Sequence, residues 1–184
     1  MQIILQPVLA ALDYSTLQPL ANDVSKEFKN TKVTVGSSHT QSTAQAFFQS
    51  DFDRNRNQWN SPKLLQSLSE KFNPDIDTKT LFIFDGDAYS YGLNFVFGEA
   101  IGNGAIAIIY LPRIKQEFYG FKSNVQLFYE RLVKESVHEL GHAFGLAHCN
   151  SISCVMHFSN SLHDTDVKKR SFCDSCNRKW TIYR

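Results

Sequence analysis

Apolar positions recur along the chain at two spacings, and these predict short strands and longer helices. Short apolar runs predict buried strands at 2–8, 32–35 and 80–84. Apolar residues at helical spacing predict a helix over 15–28. Ser61 followed by Pro62 predicts the start of a second helix, which continues to about residue 72. The alternation of strands and helices indicates an α/β arrangement, and only 41–60 shows no clear pattern.

Two further apolar runs, 93–97 and 105–111, flank the sequence Gly102-Asn103-Gly104. A turn of this composition between apolar runs predicts a β-hairpin. If 105–111 lies at the edge of the sheet beside a cleft, it could pair with a peptide as an added strand. An interior position would leave that strand no free edge, and the pattern does not choose between the two.

The longest helical pattern, 124–143, carries His138 and His142. Histidines four residues apart lie on one helical face, about 6 Å apart along the axis, so both rings can reach one metal ion. Gly145 can take the left-handed conformation that ends a helix, and the chain can then bring His148 round as a third ligand. Three protein ligands leave one position open for water, which is typical of a catalytic zinc.

Glu139 follows the first of these histidines and lies at a different helical angle, beside the metal-bound water rather than on the metal. Zinc lowers the pKa of bound water to about 7, and a carboxylate nearby can take its proton and return it to a leaving amine. The pattern therefore predicts a peptide hydrolase. Two surface histidines flanking an acid would explain the short motif alone, but not the added Gly145 and His148.

All four cysteines lie in the last 36 residues: Cys149, Cys154, Cys173 and Cys176. Two short-spaced pairs separated by a loop fit a structural zinc with four thiolate ligands, whereas two disulfides are the alternative for a secreted protein. The N-terminus lacks the basic segment and apolar length of a signal peptide, which favours a reducing compartment and zinc. Because successive side chains of an extended segment point to opposite sides, His148 and Cys149 could face two different metals.

Together these residues resemble the signature of the archaemetzincins, zinc metallopeptidases of the metzincin clan. The resemblance is close over the last third of the chain and weaker over 92–100. It implies a metzincin-like zincin fold of α/β (α+β) class, with a mixed twisted sheet, a long active-site helix and an irregular C-terminal lobe held by zinc. Some members of the family are aminopeptidases, so the resemblance also implies aminopeptidase activity as one form that peptide hydrolysis could take here.

The resemblance also implies site roles and two zinc ions, one catalytic and one structural. The implied residues are His138, His142 and His148 on the catalytic zinc, Glu139 as general base, and Cys149, Cys154, Cys173 and Cys176 on the structural zinc. Met156 is implied to form the Met-turn beneath the catalytic metal, although its loop to Cys173 is one residue shorter than the family pattern. Phe158 stands where some metzincins place a tyrosine, so that hydroxyl is missing.

Length and composition fit a single domain, with an N-terminal lobe at 1–145 and a C-terminal lobe at 146–184. A net charge of +1 gives no general attraction to nucleic acid or membranes, and no apolar run is long enough to span a bilayer. We therefore expect a cytoplasmic, monomeric enzyme that acts on peptides or proteins, with neither nucleic acid nor membrane as partner.

Two other functions remain open at this point. One is a zinc-containing peptide-binding or regulatory protein with little turnover, although such a protein has no need of Glu139. The other is a nucleic-acid-binding zinc module. A C-terminal basic cluster suggests it, namely Lys168, Lys169, Arg170, Arg178 and Lys179.

Overall fold

The computed structural model describes residues 1–8, 12–37, 48–72 and 75–182, which contain eight strands and five α-helices. The strands are β1 (Gln2–Val8), β2 (Lys32–Val35), β3 (Phe52–Asp53), β4 (Gln58–Asn60), β5 (Thr78–Phe84), β6 (Ala88–Tyr89), β7 (Gly98–Ala100) and β8 (Ile106–Tyr110). The helices are α1 (Tyr14–Glu27), α2 (Ser61–Phe72), α3 (Val125–Ala143), α4 (Leu162–Val167) and α5 (Asp174–Ile182). Three short 3-10 turns cover Gln49–Asp51, Pro112–Ile114 and Gln116–Tyr119.

Five strands form one mixed sheet in the spatial order β2-β1-β5-β8-β7. The first four are parallel, and β7 runs antiparallel to β8 at one edge. The remaining three strands form a small second sheet in the order β3-β4-β6. The α/β class expected from the alternating pattern is therefore confirmed.

Both faces of the main sheet are covered by helices, which explains why the last four residues of β5, 81–84, are all apolar. Leu81 and Ile83 pack in the cluster that contains α1 and α3, whereas Phe82 and Phe84 pack against α2. Successive side chains of a strand point to opposite faces, so the part of a strand that lies between two layers of helices is apolar on both sides.

The helices begin at capping residues that the sequence supplies. The Asp13 carboxylate accepts a hydrogen bond from the backbone N–H of Thr16 at 3.0 Å, and the Asn124 side chain accepts one from Leu127 N–H at 3.0 Å. The helices predicted over 15–28 and 124–143 are therefore confirmed to within one residue at each end.

The predicted hairpin forms, but its first strand is displaced. Residues 93–97 are not a strand, because pairing with β8 begins only where the Phe97 carbonyl accepts a hydrogen bond from Tyr110 N–H at 2.8 Å. The first strand is β7 instead. Since β8 lies between β5 and β7, it is an interior strand, and the idea that 105–111 forms the edge is wrong. The edge belongs to β7, which has no partner on its other side among the described residues.

The segment after Gly145 contains two helices, α4 and α5, that its sequence pattern does not reveal. Trp180 of α5 is buried against the rings of Phe28 and Phe144, with centroids 5.2 and 4.6 Å away. Helices of six and nine residues are too short for a legible apolar period and are stabilised by their packing. Trp180 and Met156 belong to the same apolar cluster as the residues of the main sheet.

Polar contacts also hold this C-terminal segment against α3. Arg131 forms a two-pronged ion pair with Asp166, with both N–O distances 2.7 Å. Lys168 is fully buried, and its Nζ lies 2.9 Å from a Glu135 carboxylate oxygen. In the described parts of the chain, no helix combines the length and apolar character needed to cross a membrane.

Candidate functional site

Three histidines meet at the C-terminal end of α3. His138 and His142 lie one helical turn apart, and Gly145, at φ 89°, ends the helix in the left-handed conformation. The chain then returns so that the His148 ring lies 4.7 Å from the His142 ring and 5.4 Å from the His138 ring. One ring nitrogen from each histidine lies within 4.8 Å of the other two.

Backbone carbonyls fix the orientation of the first two rings. His138 Nδ1 lies 2.7 Å from the Val155 carbonyl oxygen, and His142 Nδ1 lies 2.7 Å from the Leu146 carbonyl oxygen. A carbonyl can only accept, so each Nδ1 carries the proton and each Nε2 of a neutral ring has a free lone pair. The two Nε2 atoms are 3.1 Å apart, a distance at which two lone pairs repel unless they share a cation.

Burial also keeps these rings in the form that a metal requires. Burial lowers the pKa of His138 well below its ordinary value and lowers the pKa of His142 to about 4. Partial burial lowers the pKa of His148 in the same direction. Neutral imidazole is the metal-binding form, so the donor set fits a zinc ion.

Glu139 is buried beside the histidines, with its side chain against β7. Burial above all, and then the negative charge of Glu135, raise the pKa of the Glu139 carboxyl well above its ordinary value. Gly98 of β7 makes room for it: a Cβ atom at Gly98 would lie 2.5 Å from Glu139 Cγ. The edge strand and the carboxylate are therefore in direct contact.

The four cysteines form a second cluster behind the histidines. Their sulfur atoms all lie within 4.8 Å of one another, and Cys149 Sγ is 3.8 Å from Cys173 Sγ. Four sulfurs bound to a tetrahedral zinc are about 3.8 Å apart, whereas a disulfide bond is about 2 Å long. The cysteines are free, and a backbone N–H of Cys176 lowers the pKa of the Cys173 thiol to about 7. This cluster fits a zinc with four thiolate ligands better than two disulfides.

The segment between the two clusters connects them physically. The Cys149 N–H donates to the Met156 carbonyl at 2.9 Å, and the neighbouring Val155 carbonyl is the one that orients His138. Met156 is fully buried against the active-site helix, where a Cβ atom at Gly141 would lie 2.4 Å from its sulfur. The cysteine cluster thus holds the backbone that positions the histidines.

A cavity of about 300 Å³ opens onto the histidines and Glu139. Its walls are largely apolar and include Leu93, Phe95 and Phe158. The Phe158 ring packs edgewise on His148 at 5.1 Å, so the position that lacks a tyrosine hydroxyl does lie at the site. The side chain of Ser159, next to it, also lines the cavity, and its hydroxyl is buried without a partner in the described structure.

Two acidic residues of the cavity were missed by the sequence reasoning. Glu135 lies three and four residues before His138 and Glu139, a helical spacing that could have indicated it. Glu99 lies at the centre of β7, and no motif surrounds it. Only the fold brings Glu99 to the cavity, so sequence spacing gives no signal for it.

Comparison with known proteins gives the same family at the level of sequence and of structure. Residues 49–181 match the model of Peptidase family M54. The archaemetzincin of Saccharolobus islandicus (strain L.S.2.15 / Lassen #1) is 46% identical over 127 residues, which are 69% of this chain and 68% of that protein.

Two crystal structures of archaemetzincins share the whole fold. The Archaeoglobus fulgidus protein has a TM-score of 0.78 at 37% identity, covering 97% of this chain and 99% of its own. The Methanopyrus kandleri protein has a TM-score of 0.83 at 30% identity, covering 100% of this chain and 94% of its own. The chain therefore belongs to Peptidase family M54, the archaemetzincins, and is a zinc metallopeptidase.

Proposed function

We propose that this enzyme hydrolyses peptide bonds at a zinc held by His138, His142 and His148, with Glu139 as general base. The observation that carries the proposal is the convergence of three imidazole nitrogens beside a buried carboxylate in one cavity. Zinc, when bound there, supplies a Lewis acid that polarises the scissile carbonyl and makes water more acidic.

Glu139 performs the two proton transfers in this proposal. It takes a proton from the attacking water and later gives it to the leaving amine. Burial and the negative charge of Glu135 raise the pKa of the carboxyl above its ordinary value, which makes the carboxylate a stronger base toward the attacking water. The carbonyl oxygens of Val155 and Leu146 meanwhile hold His138 and His142 in place.

The free edge of β7 positions the peptide in our proposal. Since this edge has no partner among the described strands, its backbone groups can bind an extended peptide as an added antiparallel strand. Contact between Gly98 and Glu139 places such a peptide beside the general base. The strand that pairs with the peptide in this proposal is therefore β7 and not 105–111. The same geometry is compatible with an aminopeptidase or an endopeptidase. N-terminally blocked peptides distinguish the two, because only an endopeptidase cleaves them.

We further propose a second, structural zinc on Cys149, Cys154, Cys173 and Cys176, giving two zinc ions in all. The spacing of the sulfurs supports this ligand set, and the free thiols favour a reducing compartment such as the cytoplasm. A monomer is sufficient for this proposal, because the residues of both clusters come from one chain.

The experiment that tests the catalytic role is Glu139→Gln in zinc-loaded protein, with the exposed Glu70→Gln as control. Glutamine keeps the shape but cannot take a proton, so hydrolysis of a complex peptide mixture should fall about 100-fold or more while zinc content stays the same. Glu70 is on the outer surface of α2 and should have no effect. Undiminished cleavage by Glu139→Gln would refute the assigned base. Zinc-replete wild type that binds peptides without cleaving them would instead indicate a binding protein.

The structure gives little support to a nucleic-acid-binding module. Lys168 is buried against Glu135, and Arg170 pairs with Glu130 and Asp23. These two cations are paired with acids of the same chain, so the C-terminal cluster is not one free basic surface.

A further inference from the structure

Glu99 occupies the middle of the edge strand that we propose binds the peptide. In the antiparallel pairing of β7 with β8, Glu99 lies opposite Ile108 and Gly98 lies opposite Ile109. Residues directly opposite each other point to the same face of a sheet, and neighbours along a strand point to opposite faces. The Glu99 side chain therefore lies on the α2 face, with Ile108, while Gly98 faces Glu139.

Only one of the two carboxylate oxygens of Glu99 accepts a hydrogen bond from a described residue. Ser90 Oγ donates to Glu99 Oε1 at 2.9 Å, but Oε2 is enclosed and accepts no hydrogen bond from any described residue. Glu135 and Glu130, by contrast, are paired with Lys168 and Arg170.

In the described structure Glu99 has no ion-pair partner, and no lysine or arginine lines the cavity. An enclosed carboxylate oxygen without a donor is unfavourable, and a cation that approaches Glu99 from the cavity would stabilise the charge of the carboxylate.

A peptide paired with β7 brings a side chain to this position. The residue opposite Glu99 would point to the same face, with its Cβ about 5 Å from the Glu99 Cβ. A lysine or arginine there can reach the carboxylate with a charge-assisted hydrogen bond. Because Gly98 contacts Glu139, and neighbouring strand positions are about 3.3 Å apart, this residue lies close to the scissile bond.

We propose that Glu99 is a specificity-determining residue, which binds the cationic side chain of a lysine or arginine in the peptide next to the bond that is cleaved. The inference rests on the proposed function, because it takes the peptide to pair with β7. We take the cation to belong to a side chain; the peptide's own amino terminus is the other source of a cation, and acetylated peptides exclude it from the test.

The test compares wild type, Glu99→Gln and the control Glu70→Gln on N-acetylated peptides. In each peptide a single lysine is moved along a neutral sequence, and each has a twin with methionine in its place. Wild type should cleave the lysine peptide at one position about tenfold better in kcat/KM than its twin, and Glu99→Gln should lose most of this preference while keeping its zinc. Glu99→Lys should reverse the preference toward a glutamate at that position, a result that a purely structural role cannot give.

Equal cleavage of lysine and methionine twins by wild type would overturn the inference. So would a preference that persists in Glu99→Gln, or a lysine preference that appears only in unacetylated copies of the same peptides. The proposed function survives all three outcomes, because the peptides are still cleaved.

If no peptide is cleaved, the proposed function fails. The role of Glu99 can still be tested by measuring the affinity of the protein for the same peptides. Calorimetric titration of zinc-loaded Glu139→Gln should then show about tenfold tighter binding of the lysine peptide than of its twin. The double variant Glu99→Gln/Glu139→Gln should bind both peptides equally. Equal binding of both peptides to Glu139→Gln would overturn the inference.

Discussion

Replacing Gly98 by alanine should misplace the general base. The added Cβ would lie 2.5 Å from Glu139 Cγ and 2.7 Å from Glu139 Oε1, whereas carbon atoms in contact are about 3.5 to 4.0 Å apart. The Cβ cannot retreat toward β8, because the backbone oxygen of Ile108 is also 2.7 Å away. The Glu139 side chain must therefore move by about 1 Å, and a displacement of this size at a catalytic group costs about 100-fold in rate.

The assay is kcat/KM for peptide hydrolysis by zinc-loaded Gly98→Ala, with zinc content and unfolding free energy measured on the same sample. We expect hydrolysis to fall about 100-fold, zinc to stay bound and the free energy of unfolding to drop by about 1 to 3 kcal/mol from overpacking. The matched control is Gly102→Ala in the turn after β7, where a Cβ would meet nothing within 4 Å. If Gly98→Ala were as active and as stable as this control, the edge strand would not press on Glu139 and the reasoning would be refuted.

Three further changes test the metal sites and their supports. Gly141→Ala should lower the free energy of unfolding by about 1 to 3 kcal/mol, because its Cβ would lie 2.4 Å from the Met156 sulfur. Denaturant titration measures this loss, and unchanged stability would contradict the contact. Replacing Cys173 and Cys176 by serine should reduce the zinc content from two to at most one and lower the unfolding temperature; retention of both ions by mass spectrometry would exclude the proposed ligand set. Because burial lowers the pKa of His142 to about 4, protons compete with the catalytic metal only at lower pH, and the imidazole-site spectrum of cobalt-loaded protein should persist down to about pH 5. Loss centred near the ordinary histidine pKa, about 6.5, would contradict this protection.

The candidate ligands could be predicted from the sequence because their geometry is local. His138 and His142 are related by one helical turn, and the conformational freedom of Gly145 explains how His148 returns. The paired cysteine spacing likewise indicates a metal without reference to the rest of the fold. In each case a spacing of a few residues fixes which atoms can meet.

The rest of the site depends on pairing between distant segments. Residues 93–97 carry the apolar run that predicts a strand and 98–100 do not, yet the register with β8 makes 98–100 the strand. Glu99 reaches the cavity through that register, and Lys168 reaches Glu135 through packing of a segment 33 residues farther along the chain. Such contacts leave no period in the sequence, which is why the sequence does not predict Glu99 as a residue of the cavity.

The imidazoles of His138 and His142 are oriented by main-chain oxygens, at Val155 and Leu146. A main-chain oxygen is present whichever amino acid occupies the position, so substitutions at 146 and 155 can change the packing while both rings keep their acceptors. An insertion or deletion in either turn would instead move the oxygen itself and rotate the ring away. We therefore expect relatives to carry different apolar residues at these two buried positions but to keep the length of the turns, with length changes confined to loops such as the one between Met156 and Cys173.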